Sequence, residues 1–377
     1  MPGVHEVDVV IVGAGAVGLA CAAALARAGH EVVVLDREGG PGRETTSRNS
    51  GVIHAGLYYP SGSLMAETCV EGRSLLYARC ARDGVAHRKT EKLVVATEPG
   101  DEAALEPLLE VGTRNGAGAL SLIDGAAITR LEPRVVARCA LRSPESGIVD
   151  VHGLCQSYVA EAQAFGASFA YHTEVVGFAP RGDGYQVDTR RGDVRFSVRA
   201  GAVVNAAGLA SDRVAAMAGV DVDARGWRIR PCKGDYFAIA PRLGRLCQRL
   251  VYPLPTAAGL GVHVTMDLGG AFRAGPDTEY LDAEYLDASD PSPPRYDVDP
   301  SKAARFGAAL RRYLPEVRDE DLSPDYAGVR PKLYGPGEAK RDFVLEETPA
   351  RVVHLVGIES PGITASEALA RRVLARL

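Results

Sequence analysis

The chain has 377 residues, 46% of them apolar, with 43 basic and 48 acidic side chains and a net charge of −5. This length suits two domains with substantial cores, and the near balance of charge gives no sequence-wide cationic field, which argues against nucleic acid as a partner. Seven cysteines lie at least eleven residues apart and eight histidines stand singly, a spacing that speaks against metal sites and a disulfide scaffold and suits a reducing, cytoplasmic setting.

Residues 7–12 read as a nearly continuous apolar strand for the interior of a parallel sheet. Gly13-Ala14-Gly15-Ala16-Val17-Gly18 follows and opens a small-residue helix that runs to about residue 28. Gly29 stops it, and residues 31–35 form a second apolar strand ending at Asp36. In this GxGxxG unit the first glycine permits the tight turn and the second lets backbone approach a pyrophosphate. The third brings helix and strand together, and the helix start offers N–H groups to the phosphates. Asp36 is placed to accept ribose hydroxyls. Residues 9–26 are uncharged and have the length of an export or membrane segment. No Lys or Arg precedes them, however, and the glycine spacing accounts for them better.

A nicotinamide dehydrogenase would continue with further βα units. Here residues 37–50 form a polar, glycine-rich stretch followed by Gly51-Val52-Ile53-His54-Ala55-Gly56-Leu57-Tyr58-Tyr59. Such a long polar loop suits the phosphates and ring edge of a cofactor. Helices are expected over 71–81 and 101–114, and strands over 93–97, 147–151 and 171–178. A hairpin is expected from 186–189 and 193–198, turning at 190–192. Residues 202–208 form a strand entering Ala206-Ala207-Gly208, small enough for backbone to lie against a nucleotide. Residues 227–240, 250–253, 261–265 and 271–275 suggest an antiparallel sheet. The acidic stretch 277–300 reads as a solvated loop, and 301–313 as a helix. A strand and turn over 354–364 lead into a terminal helix, 365–377. Gly362, Ile363 and Thr364 sit at its start, where dipole and N–H groups favour an anionic atom such as the N1–C2=O end of a reduced flavin.

With these contacts the chain resembles, from end to end, the D-amino-acid-oxidase-like flavoprotein superfamily. Within it the chain is similar to the L-2-hydroxyglutarate dehydrogenase/oxidase family. The residues that carry this are SGVIHAGLYY from Ser50, CVEG from Cys69, LLY from Leu75, SGIVD from Ser146, GDY from Gly234, YPLP from Tyr252, GVH from Gly261 and GVR from Gly328. After Arg330 the chain departs from the family, with a compact proline/glycine turn over 331–337 that carries Lys332.

The resemblance implies an α/β fold of mixed α+β character. A Rossmann-like FAD-binding domain of the glutathione-reductase/D-amino-acid-oxidase type would be assembled from 1–75, 146–222 and 325–377, and an antiparallel-sheet substrate domain from 76–145 and 223–324. It implies FAD bound by Gly13, Gly15, Ala16, Val17, Gly18, Asp36, Arg37, Ser47, Asn49, Ser50, Gly51, Val175, Ala206, Ala207, Gly208, Gly357, Pro361, Gly362, Ile363 and Thr364. Nothing in the sequence requires a covalent link from His54 to the flavin.

Oxidation of a 2-hydroxy acid needs a hydride acceptor, which flavin N5 supplies, a base and a cation for the carboxylate. His54 and His263 are the candidate bases, because imidazole titrates near working pH. Arg330 is the candidate carboxylate clamp, since a guanidinium can form two parallel hydrogen bonds. A five-carbon diacid asks for a second cation, with Lys233, Arg273 and Lys332 as candidates, and Tyr58, Tyr236 and Tyr252 could donate hydroxyls.

The expected activity is therefore FAD-dependent oxidation of an L-2-hydroxy acid, with L-2-hydroxyglutarate the lead substrate. Oxidation of an amino acid or secondary amine on the same fold is one alternative, and an electron-relay or binding subunit without its own substrate is another. The electron acceptor is open among oxygen, a quinone and a carrier protein. A quinone would bring peripheral contact with the inner membrane.

Overall fold

The computed structural model describes residues 6–255, 261–282 and 296–377. Part of the acidic stretch expected as a loop, residues 283–295, lies outside the described residues, as do residues 1–5 of the expected N-terminal segment.

Val32–Leu35 is buried at all four positions, as β-branched and leucine side chains are in a parallel strand covered on both faces. It pairs in parallel with Glu6–Val12, which pairs with the second half of Val194–Asn205, which in turn pairs with Val352–Val356. Ser168–Ala170 adds a further parallel strand beside Val32–Leu35. Val344–Glu347 and the hairpin of Glu174–Arg181 and Gly184–Arg191 join antiparallel, giving an eight-stranded sheet among the described residues. The helix Ala16–Arg27 is rich in alanine and lies close against Val151–Ala164 and Gly362–Leu374. The core beneath them runs from Val9 to Val373, so the two ends of the chain share it.

A second, largely antiparallel sheet has nine strands among the described residues. Its centre is Arg230–Ile239, flanked on one side by Leu322–Lys332 and on the other by Phe272–Gly275 and Glu279–Tyr280. His263–Met266 and Leu250–Pro253 continue it to Lys92–Ala96, Cys139–Ser143 and Ser121–Asp124.

The architecture is α/β with a mixed sheet and a mainly antiparallel one. Two local readings change. Residues after Asp150 turn into the helix Val151–Ala164, which buries Leu154, Cys155, Tyr158, Val159 and Ala162 at helical spacing. Leu322–Lys332 belongs to the second sheet, past the expected boundary at 325. Pro324 and Pro331 hide it in the sequence, and they are tolerated because the strand lies at the sheet edge, paired only with Arg230–Ile239.

Candidate active site

Two cavities that share Thr45 and Thr46 run past the C-terminal ends of the parallel strands, where open α/β sheets place their ligands. The first is lined by Gly13, Gly15, Asp36, Arg37, Val175, Ala206, Ala207 and Gly208 from the expected nucleotide set, with Thr173 and Arg213 added. The second is lined by Ala16, Val17, Asn49, Ser50, His54, Tyr236, Tyr252, His263, Arg330 and the segment Pro361, Gly362, Ile363 and Thr364, with Arg48, Glu359 and Ser360 added.

The residues present suit a dinucleotide. Gly18 faces the carbonyl of Gly13 so closely that no Cβ fits, which holds the turn against the helix. The Asp36 carboxylate accepts from the N–H of Ala14 at 2.6 Å and of Glu38 at 2.8 Å, fixing it at the strand end, and burial raises its pKa. Neither Ala16–Arg27 nor Gly362–Leu374 has a side-chain cap, and both begin at the second cavity. Ala16 N–H donates to Thr46 Oγ1 at 3.2 Å and Gly362 N–H to Glu359 O at 2.6 Å, so the N–H groups that follow them, with the helix dipoles, suit a pyrophosphate and an anionic ring edge.

The polar loop is clamped to the second sheet. Thr45 Oγ1 donates to Val329 O at 3.2 Å, Arg48 to Ala327 O at 3.3 Å, and Tyr326 Oη to Asn49 O at 2.9 Å. Gly328 makes this approach feasible, because a Cβ there would collide with the carbonyl of Arg48. Gly328→Ala should lower flavin affinity about tenfold or more, since backbone overpacking costs about 1–3 kcal/mol. Flavin content after dialysis checks this, and retention equal to wild type would count against the clamp.

Strand phase decides which side chains reach the second cavity. Gly234 and Tyr236, Gly328 and Arg330, and Gly261 and His263 are pairs two residues apart, each pair facing inward. The guanidinium of Arg330 donates to Lys233 O at 3.1 Å, Asp277 O at 2.8 Å and Cys232 O at 3.4 Å. Among the described residues it pairs with no carboxylate. It is a fixed, half-buried cation facing the cavity.

His263 is 3% exposed and stacks on Tyr252 with ring centres 3.7 Å apart. Its Nδ1 lies 2.9 Å from Gly261 O; assigning the proton to Nδ1 makes this a hydrogen bond and leaves Nε2 as the acceptor. Burial, then the charges of Lys92 and Arg330, hold its pKa down to about 3 against the opposing Gly261 bond. His54 is held by its N–H donating to Thr364 Oγ1 at 3.1 Å, with Nε2 3.3 Å from Ser360 Oγ. Burial, then Lys92, His263 and Lys340, lower its pKa well below the usual value. Both imidazoles are neutral in the unliganded protein. Their folded pKa values lie below the unfolded value, so the unfolded state binds more protons below about pH 6.5, for His263 down to about pH 3. Stability is full above that window and is lost as pH falls through it, by about 1.4 kcal/mol per unit per imidazole. Thermal denaturation between about pH 7 and 5 should show this slope, reduced in His263→Asn.

Several expected positions lie elsewhere. Arg273 is held by Asp325 at 2.6 Å and Asp267 at 2.9 Å and lines an adjoining cavity, together with Ser47 and Gly51. Lys233, out of phase with Gly234, points to the opposite side and pairs with Asp235 at 3.2 Å, where Lys302 joins it against Asp235, Asp277 and Glu279. Lys332 stands over the rings of Tyr334 and Tyr280. The half-buried Tyr58 has a buried hydroxyl without a partner among the described residues and packs over Lys92. Gly357 turns the last parallel strand at φ +71° and lies behind the cavity wall. Sequence reading passed over Thr45, Thr46, Arg48, Glu359, Ser360 and Lys92. Only Thr45, Thr46 and Arg48 carried a signal, their place in the polar loop.

Residues 8–377 match the model of the FAD-dependent oxidoreductase (DAO) family, and the chain belongs to that family; its cofactor is FAD. It is similar to the mitochondrial L-2-hydroxyglutarate dehydrogenase of Arabidopsis thaliana, at 38% identity over 98% of this chain and 83% of that protein. It is also similar to the human mitochondrial L-2-hydroxyglutarate dehydrogenase, at 32% identity over 96% and 86%. Among solved structures it shares the fold of an L-alpha-glycerophosphate oxidase from Mycoplasma pneumoniae with FAD bound, with a TM-score of 0.87, 24% identity and coverage of 99% and 95%. A glycine oxidase from Geobacillus kaustophilus gives a TM-score of 0.79, 21% identity and coverage of 99% and 95%.

Proposed function

We propose that this enzyme oxidises L-2-hydroxyglutarate to 2-oxoglutarate. The observation that carries the reading is the pairing, across one cavity, of a guanidinium without an ion-pair contact among the described residues, Arg330, with a neutral imidazole, His263. The likeness to the two dehydrogenases over nearly the whole chain supports it. Arg330 binds the carboxylate next to the hydroxyl carbon and orients that carbon. His263 Nε2 takes the hydroxyl proton as the carbon is oxidised. His54, tied to Ser360 and Thr364, shapes the opposite wall. Bound FAD supplies the two-electron acceptor. The far carboxylate is assigned to Arg48, a guanidinium on the same wall that rests over the Tyr296 ring.

Electrons then leave to a separate acceptor. Oxygen or a carrier fits a cytoplasmic enzyme, and a quinone would add peripheral membrane contact. No described helix is long and apolar enough to cross a membrane. Anaerobic stopped-flow mixing with L-2-hydroxyglutarate should bleach the oxidised-flavin band, and the D-enantiomer and amino acids should bleach it far more slowly. Faster bleaching by an amine would sink the proposal, and no bleaching by any of them would point to a relay subunit.

A further inference from the structure

Lys92 opens the strand Lys92–Ala96 and is 1% exposed. Its ammonium lies 3.9 Å from the centre of the Tyr252 ring and 5.6 Å from that of Tyr58. Tyr252 in turn stacks on His263, so the ammonium stands one aromatic ring behind the cavity wall. The groups facing it are His54 and Tyr58 from the segment after Val52–Ile53, Cys69 from the helix Leu64–Asp83, Tyr252, and His263, with Arg73 beyond Cys69 and donating to Ala55 O. On the neighbouring strand Arg142 is taken up by Glu91. Among the described residues no carboxylate pairs with Lys92. A methionine would fill this space without the penalty of an unpaired buried charge, so the ammonium calls for a use beyond packing.

We infer that Lys92 is a positioning residue for an anionic ligand: a carboxylate entering the cavity over His263 and Tyr252 draws a proton from solvent onto Lys92 and holds it there. This rests on the reading of the cavity as a dicarboxylate site. Aromatic faces stabilise the cation without neutralising it, which leaves its field to act on the ligand through a medium of low polarity. Burial lowers the Lys92 pKa to about 7, with the Cys69 thiol opposing, so the unliganded protein sheds this proton near neutrality. An anion binds the protonated form more tightly and therefore raises that value. Proton uptake is positive between the free and the bound values, and affinity falls as pH rises through the same window.

The test uses the flavin-loaded enzyme and 2-oxoglutarate, with binding followed by flavin absorbance and by calorimetry in buffers of different ionisation heat from about pH 6 to 9. The wild type should take up close to one proton per ligand near pH 8, with affinity falling about tenfold per pH unit above the free value. Lys92→Met should bind weakly at every pH without uptake. Lys92→Arg, whose charge does not titrate, should bind with nearly constant affinity and without uptake. Uptake near pH 8 that persists undiminished in either variant would place that proton on a group other than Lys92 and overturn the inference, as would wild-type binding without uptake. If 2-oxoglutarate does not bind the wild type at all, the dicarboxylate reading itself fails and takes this inference with it.

Discussion

His263→Asn is expected to lower kcat/KM for L-2-hydroxyglutarate by about 10²- to 10⁴-fold, the usual contribution of a positioned base. Asparagine keeps a donor near Gly261 O and removes Nε2, so flavin content should hold while flavin reduction slows. In the unliganded protein the imidazole pKa is about 3, low for a working base. The substrate's carboxylates change that balance, because negative charge beside the ring raises its pKa toward the operating range. His54→Asn should cost less, since His54 Nε2 already faces Ser360 Oγ and its backbone is tied to Thr364. Single-turnover flavin reduction without oxygen measures both variants. A larger loss in His54→Asn would move the base to His54.

The nucleotide end was legible because each of its residues answers to a local steric need. Gly18 has no room for a Cβ, Asp36 ends a buried strand, and the two uncapped helix starts follow small residues. His54, His263 and Arg330 were legible from their short motifs, and the sheet phase then brings them to one cavity. Where a charge goes was not legible, because strand phase and distant partners decide it. Arg273 is claimed by Asp325, 52 residues away, and Lys233 falls on the wrong side of a strand whose next residue faces the cavity. Lys92 follows Glu91 and lies just before the expected strand over 93–97, with no signal of its own. Glu91 turns to Arg142 and Arg249, and Lys92 turns inward beneath two tyrosines. The edge strand Leu322–Lys332 was obscured by its prolines, so the element that carries Arg330 was found only from its pairing with Arg230–Ile239.

Arg330→Met is expected to lower kcat/KM by about 10- to 10²-fold, because Nε and Nη2 already serve carbonyls and the charge-assisted hydrogen bond left to Nη1 is worth about 1.5–3 kcal/mol. The loss should fall mainly on KM if the clamp holds substrate and transition state alike, and equally on kcat if it also sets the angle of the hydroxyl carbon. Its geometry favours the second outcome. The guanidinium is fixed by Cys232 O and Lys233 O on one strand and by Asp277 O on the loop before Glu279–Tyr280, so it presents Nη1 in one orientation. Arg330→Lys would keep the charge and lose the carbonyl-fixed direction of Nη1, and should recover KM more than kcat. Removing the side chain also leaves three buried carbonyls short of a donor, at about 1–3 kcal/mol in stability, so a fall in melting temperature should accompany the methionine variant. Flavin retention separates the two effects, because Arg330 lies on the second sheet and not beside the parallel strand Glu6–Val12 that leads into Gly13. A methionine variant that keeps its flavin and turns over at the wild-type rate would remove Arg330 from the site and leave Arg48 as the cation to test next.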